Sequence, residues 1–152
     1  MEEYLSHHGI FGMKWGIRRY QNTDGTLTPA GKERYAKVAA DPYLRKSQTE
    51  EAIDYYTESS KQAEISADIA TVGINRSNRN LERDPTNEKY KSNLNKNKII
   101  REANEKIKAI ADTRIEQINS GTFKAGRDFI VQNDWYIDWS GISTETRIIE
   151  RD

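Results

Sequence analysis

The residue types with the most chemical reach stand together near the start of this chain: His7-His8, then Phe11, Lys14, Trp15, Arg18, Arg19 and Tyr20. Both histidines and five of the nine glycines fall within the first 35 residues, so the stretch is a poor recipe for a packed core. Glycine raises the entropy cost of ordering the backbone, while Trp, Phe and Tyr offer large contact surfaces. Three chemistries come to mind for such a set: metal or acid–base work by the histidines, phosphate and base contacts by the cations and rings, or docking on another protein.

The histidine pair is weak as a metal site. Adjacent side chains point in different directions, and no HxH, HExxH or acidic cluster stands nearby to complete a coordination shell. Hydrogen bonding or packing in an ordered turn is the expectation for His7 and His8. Nucleophilic catalysis lacks its parts, since the chain has no cysteine and no Gly-x-Ser-x-Gly elbow. The glycines around Lys14 do not make a phosphate loop, because no Gly-Lys-Ser/Thr follows. Carboxylate pairs such as Glu50-Glu51 are expected on solvated helix faces. No enzyme, cofactor or metal is expected. That leaves Lys14, Trp15, Arg18, Arg19 and Tyr20 as a compact basic and aromatic cluster suited to stacking and phosphate neutralisation, or to anchoring a protein interface.

Charge separates the two readings. The chain holds 24 basic and 24 acidic residues, a net charge of zero, whereas generic nucleic-acid binding wants a basic excess. Protein docking is therefore preferred, with nucleic acid kept open as a partner. The charge is uneven along the chain: residues 1–46 carry +3, 47–84 carry −4, 85–120 carry +3 and 121–152 carry −2. Successive elements are thus expected to pack beside neighbours of opposite sign. Only 35% of residues are hydrophobic and the mean hydropathy is −0.94, so the core is thin and assembly of several copies is a live expectation. No segment approaches the roughly 20 apolar residues of a membrane helix, and Glu2 and Glu3 stand where a signal peptide is basic. A soluble, unexported chain without membrane contact is expected.

The elements that must position the cluster follow from punctuation and periodicity. Asn22-Thr23-Asp24-Gly25 is a turn signal that would present the aromatic and basic residues in one orientation. Thr28-Pro29 opens a short helix to about Ala40. Asp41-Pro42 breaks it, and Ser47-Gln48-Thr49-Glu50 has the spacing of a capping box that would open a long helix. Ile53, Tyr56, Ser60, Ala63, Ala67, Ala70 and Ile74 form one narrow stripe rich in small residues, which permit close helix approach. Asp84-Pro85 ends that helix, and Thr86 is the expected cap of the next. Its stripe reads Tyr90, Leu94, Ile100, Ala103, Ile107, Ile110 or Ala111, and Ile118, with Gly121 terminating it.

Beyond Phe123, alternation of Trp135, Ile137 and Trp139 with Tyr136 and Asp138 has the period of a half-buried strand. Ser140-Gly141 would turn, and residues 142–149 return. The expected fold is mainly α, a long antiparallel helical hairpin with an irregular Gly/aromatic N-terminal segment and a short C-terminal β-hairpin. Its parts are 1–46, 47–121 and 122–152, in one structural unit. A lone β-hairpin is marginal in water, so it is expected to dock on the helices or on a neighbouring subunit, with Trp135 and Trp139 as further contact residues.

The segment His7 to Tyr35 also resembles a motif of tailed-bacteriophage and prophage proteins, of the form HHGIxGxKWGxRRxQNxDGxLTxxGxxRY. The match covers His7, His8, Gly9, Ile10, Gly12, Lys14, Trp15, Gly16, Arg18, Arg19, Gln21, Asn22, Asp24, Gly25, Leu27, Thr28, Gly31, Arg34 and Tyr35. Met13 and Ile17 stand where Gln and Val are frequent. Ala125-Gly126-Arg127-Asp128-Phe129 is similar to a second segment of such proteins. The resemblance implies a phage origin beside head and other structural proteins, and carries no catalytic residues with it. The expectation is a non-enzymatic virion-associated or head-assembly protein, present in the virion and in the host cytoplasm during assembly. It would dock on capsid, portal or related proteins and act as a homo-oligomer or in many copies. Two alternatives are a nucleic-acid-binding protein packaged with the genome and a small inhibitor of a host defence protein.

Overall fold

The computed structural model describes residues 19–151, which form three helices and one β-hairpin: α1 (Pro29–Ala40), α2 (Pro42–Arg83), α3 (Glu88–Asn119), β1 (Phe129–Asp138) and β2 (Gly141–Glu150). The chain divides into two compact units. The first comprises residues up to Ala52 together with Phe123 onward, and the second is Ile53–Thr122.

In the first unit, α1 begins where its sequence says it should. The Thr28 hydroxyl accepts from the Gly31 amide at 3.0 Å, and Pro29 occupies the first helical position. Asp41 then serves both neighbours. Its backbone N–H donates to the Lys37 carbonyl and ends α1, while its carboxylate accepts from the Tyr43 and Leu44 amides at 2.9 and 3.2 Å and opens α2. The long helix is therefore under way five residues before Ser47. The capping box expected at Ser47–Glu50 does not form, because a stronger Asp-Pro start lies upstream; the Ser47 hydroxyl instead donates to Glu51 one turn on, at 3.2 Å.

β1 and β2 pair antiparallel from Phe129↔Glu150 to Asp138↔Gly141, leaving Trp139-Ser140 as the turn. The ribbon is longer than expected, starting at Phe129, and its root is buried on both faces: Phe129, Ile130, Val131 and Gln132 are all 3% exposed or less. Four links hold it. The Tyr35 hydroxyl donates to the Ile149 carbonyl at 2.7 Å. The Gln48 amide bridges the outer edge of β1, accepting from Val131 N–H at 2.6 Å and donating to Val131 C=O at 3.3 Å, so a helix side chain stands in for a third strand. Phe123 stacks on Phe129 with centroids 4.8 Å apart. Gly126, at φ +77°, lies so close to α1 that a Cβ there would meet the Val38–Ala39 backbone at 2.5–2.8 Å.

In the second unit, the 53–83 part of α2 and α3 pack against each other as the expected helical hairpin. Asn87 rather than Thr86 caps α3, accepting from the Lys89 and Tyr90 amides at 3.1 and 3.3 Å. The small-residue stripe of α2 is the buried seam: Tyr56, Ser60, Ala63, Ala70 and Ile74 are 9% exposed or less, and Ser77 joins them. Backbones approach closely along it. A Cβ on Gly73 would strike the Asn97 amide at 2.6 Å, which explains a glycine inside a helix. The Ser60 hydroxyl donates to Asp112 at 2.6 Å, and Lys108 reaches the same carboxylate at 2.8 Å.

The stripe expected on α3 splits in two. Tyr90, Leu94, Ala111 and Ile118 lie on the covered side, but the positions between them on that side are Asn97, Arg101, Asn104 and Lys108. Ile100 and Ile107, expected in the core, are 46% and 48% exposed, as are Ile99 and Ile110 at 58% and 60%. Two apolar sectors, about a third of a turn apart, share the 3–4 spacing, and the seam of α2 covers only one of them.

Candidate functional site

Within the described residues, the segment that leads into α1 is a tight antiparallel turn built by its own polar side chains. Asn22 N–H donates to the Thr26 carbonyl at 2.7 Å and Gly25 N–H to the Asn22 carbonyl at 3.1 Å. Asp24 accepts from the Thr26 amide at 2.9 Å and hydroxyl at 2.7 Å. These bonds hold the Asp24 carboxyl below the usual carboxylate range, the Thr26 hydroxyl contributing most. The Gln21 amide closes the turn on the Gly25 carbonyl at 2.9 Å.

The returning strand of the turn fixes Arg19 and Tyr20 over the start of α1. Thr28 N–H donates to the Tyr20 carbonyl at 3.0 Å. The Thr28 hydroxyl, while capping α1 with its lone pair, donates its proton to the Arg19 carbonyl at 2.8 Å. Gly31 must lack a side chain because a Cβ would collide with the Tyr20 carbonyl. The turn residues of the motif thus do what their composition suggests and shape the backbone.

From this position the Arg19 guanidinium lies 3.7 Å from the Asp134 carboxylate on β1 and 5.8 Å from the Tyr20 ring centroid. Asp134 is also met by the Gln132 amide at 2.5 Å. Register places Gln132, Asp134, Glu145 and Arg147 on one face of the ribbon, where Arg147 pairs with Glu145 at 2.9 Å. The opposite face carries Trp135 across from Thr144 and Ile137 across from Ile142.

That second face is uncovered toward its tip. Trp135 is 71% exposed, Ile137 59%, Ile142 78%, and Trp139 in the turn 95%. The alternation that predicts a half-buried strand is real, but the burial lies at the root of the ribbon. Four large apolar side chains converging at one exposed end form a patch of the kind that marks interaction surfaces. Trp135 and Trp139 are legible in the sequence as contact residues, whereas Ile137 and Ile142 join them only through the strand register. The cross-strand pair Ile137↔Ile142 follows from a two-residue turn at Trp139-Ser140, one residue earlier than Ser140-Gly141.

His7, His8, Phe11, Lys14, Trp15 and Arg18 lie outside the described residues. Of the candidate contact residues, the structure brings Arg19 beside Asp134, the neighbour of Trp135 along β1, sets Tyr20 under the Arg19 guanidinium, and puts Trp139 at the ribbon turn. Among the described residues no cluster of three or more His, Cys, Asp or Glu could hold a metal ion, and no helix is long and apolar enough to cross a membrane. A shallow concavity on α3, lined by Asp112, Ile115, Glu116, Asn119 and Ser120, offers a carboxylate already engaged by Ser60 and Lys108.

Comparison with known proteins adds one finding. A family model described as a family of unknown function (DUF7211) matches residues 1–22, the part of the chain that holds the two histidines and the basic-aromatic cluster. No curated protein and no solved structure matches the chain.

Proposed function

We propose that this chain is a non-enzymatic docking protein of a bacteriophage, virion-associated or active in head assembly, which binds other structural proteins through its N-terminal motif and the tip of its β-hairpin. The observation that carries the reading is the uncovered apolar end of the ribbon, Trp135, Ile137, Ile142 and Trp139, with Arg19 tied to the adjacent Asp134. Tryptophan anchors rimmed by arginine are the composition of interface hot spots, where burial of a ring on a partner carries most of the binding energy. The resemblance of His7–Tyr35 to phage structural-type proteins supplies the biological class, and many copies on a symmetric shell would turn a small contact area into firm attachment.

Quantitative mass spectrometry of purified, nuclease-treated particles tests the reading. The expected outcome is this chain at a fixed copy number relative to the major head protein. Its absence from particles would remove the virion assignment. Replacing Trp135 and Trp139 together by Ala is expected to release the chain from particles while leaving its far-UV circular dichroism unchanged.

A further inference from the structure

The face of α2 turned away from α3 has an order of its own. Asp54, Glu58, Lys61, Ile65, Ile69, Val72, Arg76, Arg79 and Arg83 follow one another at three- and four-residue steps, so they share one side of the helix. All nine are exposed, with Ile65 at 44%, Ile69 at 67% and Val72 at 66%. The buried seam residues Tyr56, Ser60, Ala63, Ala70 and Ile74 occupy the opposite side. Along the stripe, charge runs from acidic through apolar to basic. Among the described residues, none of Asp54, Glu58, Arg76, Arg79 and Arg83 makes an ion pair within the chain; Glu58 accepts only from the Gln62 amide, at 2.7 Å.

The stripe is also palindromic in its spacing. About a point between Asp68 and Ile69, Asp54 mirrors Arg83, Glu58 mirrors Arg79, and Ile65 mirrors Val72. We infer that the outer face of α2 is a self-association surface, on which a second copy of this chain packs its own α2 antiparallel about a two-fold axis beside Ile69. A two-fold interface is self-complementary by construction, each residue meeting the counterpart of its mirror position. Here that rule sets Asp54 against Arg83 of the other copy, Glu58 against Arg79, and Ile65 against Val72, twice each. Ile69 meets its own copy near the axis. The contact follows thirty residues of helix, about 45 Å at 1.5 Å per residue.

Lys61 and Arg76 are the one like-charged pair, and their long stems let the cationic heads splay into water. Charge also argues against the other exposed apolar face as the self-pairing one. On α3, pairing Ile100 with Ile110 antiparallel on a second copy would set Lys96 opposite Arg114, a like-charge contact at each end. The inference rests on α2 alone and stands apart from the docking surface on the β-hairpin.

Sedimentation velocity of the full chain over about 1–100 µM, the range of ordinary transient dimers, is the first test, and a monomer–dimer equilibrium is the expected result. Ile69→Glu should leave a monomer with unchanged helicity. Glu58→Arg should weaken the dimer at least about tenfold, and adding Arg79→Glu in the same chain should restore it, because the reversed charges meet again across the axis. The chain has no cysteine, so single cysteines report the register directly: Ile69→Cys should form a covalent dimer on oxidation and Asp54→Cys should not. A monomer at every concentration overturns the inference. So does a dimer insensitive to Ile69→Glu, a charge-swapped variant no tighter than Glu58→Arg, or efficient cross-linking through Asp54→Cys.

Discussion

A single side chain closes the exposed flank of the ribbon. Gln48 gives Val131 both the acceptor and the donor that a neighbouring strand would give, and it is only 3% exposed. Gln48→Ala is therefore expected to cost about 1–3 kcal/mol, the penalty for stranding two buried backbone groups, read as a lower midpoint in urea. Gln48→Glu should cost at least as much, since a carboxylate can accept from the amide but faces the Val131 carbonyl with no proton to offer. Tyr35→Phe removes the hydroxyl that ties α1 to the Ile149 carbonyl and is expected to destabilise the first unit by about 1–2 kcal/mol. Tyr35 ends the recognised motif, and in the folded chain it is a structural lock. Gly31 is of the same kind. The second half of the motif is thus accounted for by packing and turn geometry, which the turn residues announce in sequence. What Tyr35 bonds to was not legible, because Asp128 and Ile149 lie more than ninety residues away.

Local punctuation made the helices legible. Thr28-Pro29, Asp41-Pro42, Asp84-Pro85 and Gly121 bracket them, and the Ser/Ala seam of α2 is buried as its spacing implies. The second stripe was harder, because a helical repeat marks a side and not what covers it. On α3 the covered positions include Asn97, Arg101, Asn104 and Lys108, while four isoleucines stay at the surface. Two outcomes distinguish the observed packing from the sequence pattern. Ile107→Ala should change stability by no more than about 0.5 kcal/mol, as for an ordinary surface site. Ala70→Leu, at a position 2% exposed, should cost about 1–3 kcal/mol by overpacking the seam. The same applies to the ribbon, where alternation identified a face and left its exposure undetermined.

The Ser60–Asp112–Lys108 cluster gives this hairpin a pH dependence. Lys108 and the Ser60 hydroxyl hold the Asp112 carboxyl below its ordinary value of 3.8, and Asp112 holds the Lys108 ammonium above 10.5. A carboxyl lowered on folding contributes fully above its unfolded value and loses that contribution as the pH falls through the folded one. Thermal melts of the parent and Asp112→Asn should therefore differ at neutral pH and converge below about pH 4. Lys108 predicts the opposite limb, a contribution complete below 10.5 and lost as the pH rises above it.

At the scale of the whole chain, the first unit is discontinuous: its described parts are 19–52 and 123–151, and the second unit is inserted between them. The Tyr35 hydroxyl bonds to Asp128 and Ile149, and the Val38–Ala39 backbone lies against Gly126, all in the last thirty residues. During synthesis, α1 must therefore wait for β2 to emerge, while the helical hairpin can close on itself as soon as Thr122 is made. A chain ending at Thr122 should keep the helicity of the second unit, while hydrogen exchange finds α1 unprotected. Closure of the hairpin brings residues 53 and 122 to the same end of the second unit. It thereby replaces a seventy-residue loop with a short effective one, a saving of about 2 kcal/mol in closure entropy. The inserted unit is thus a folding guide: its hairpin gathers the two halves of the first unit before either can fold alone.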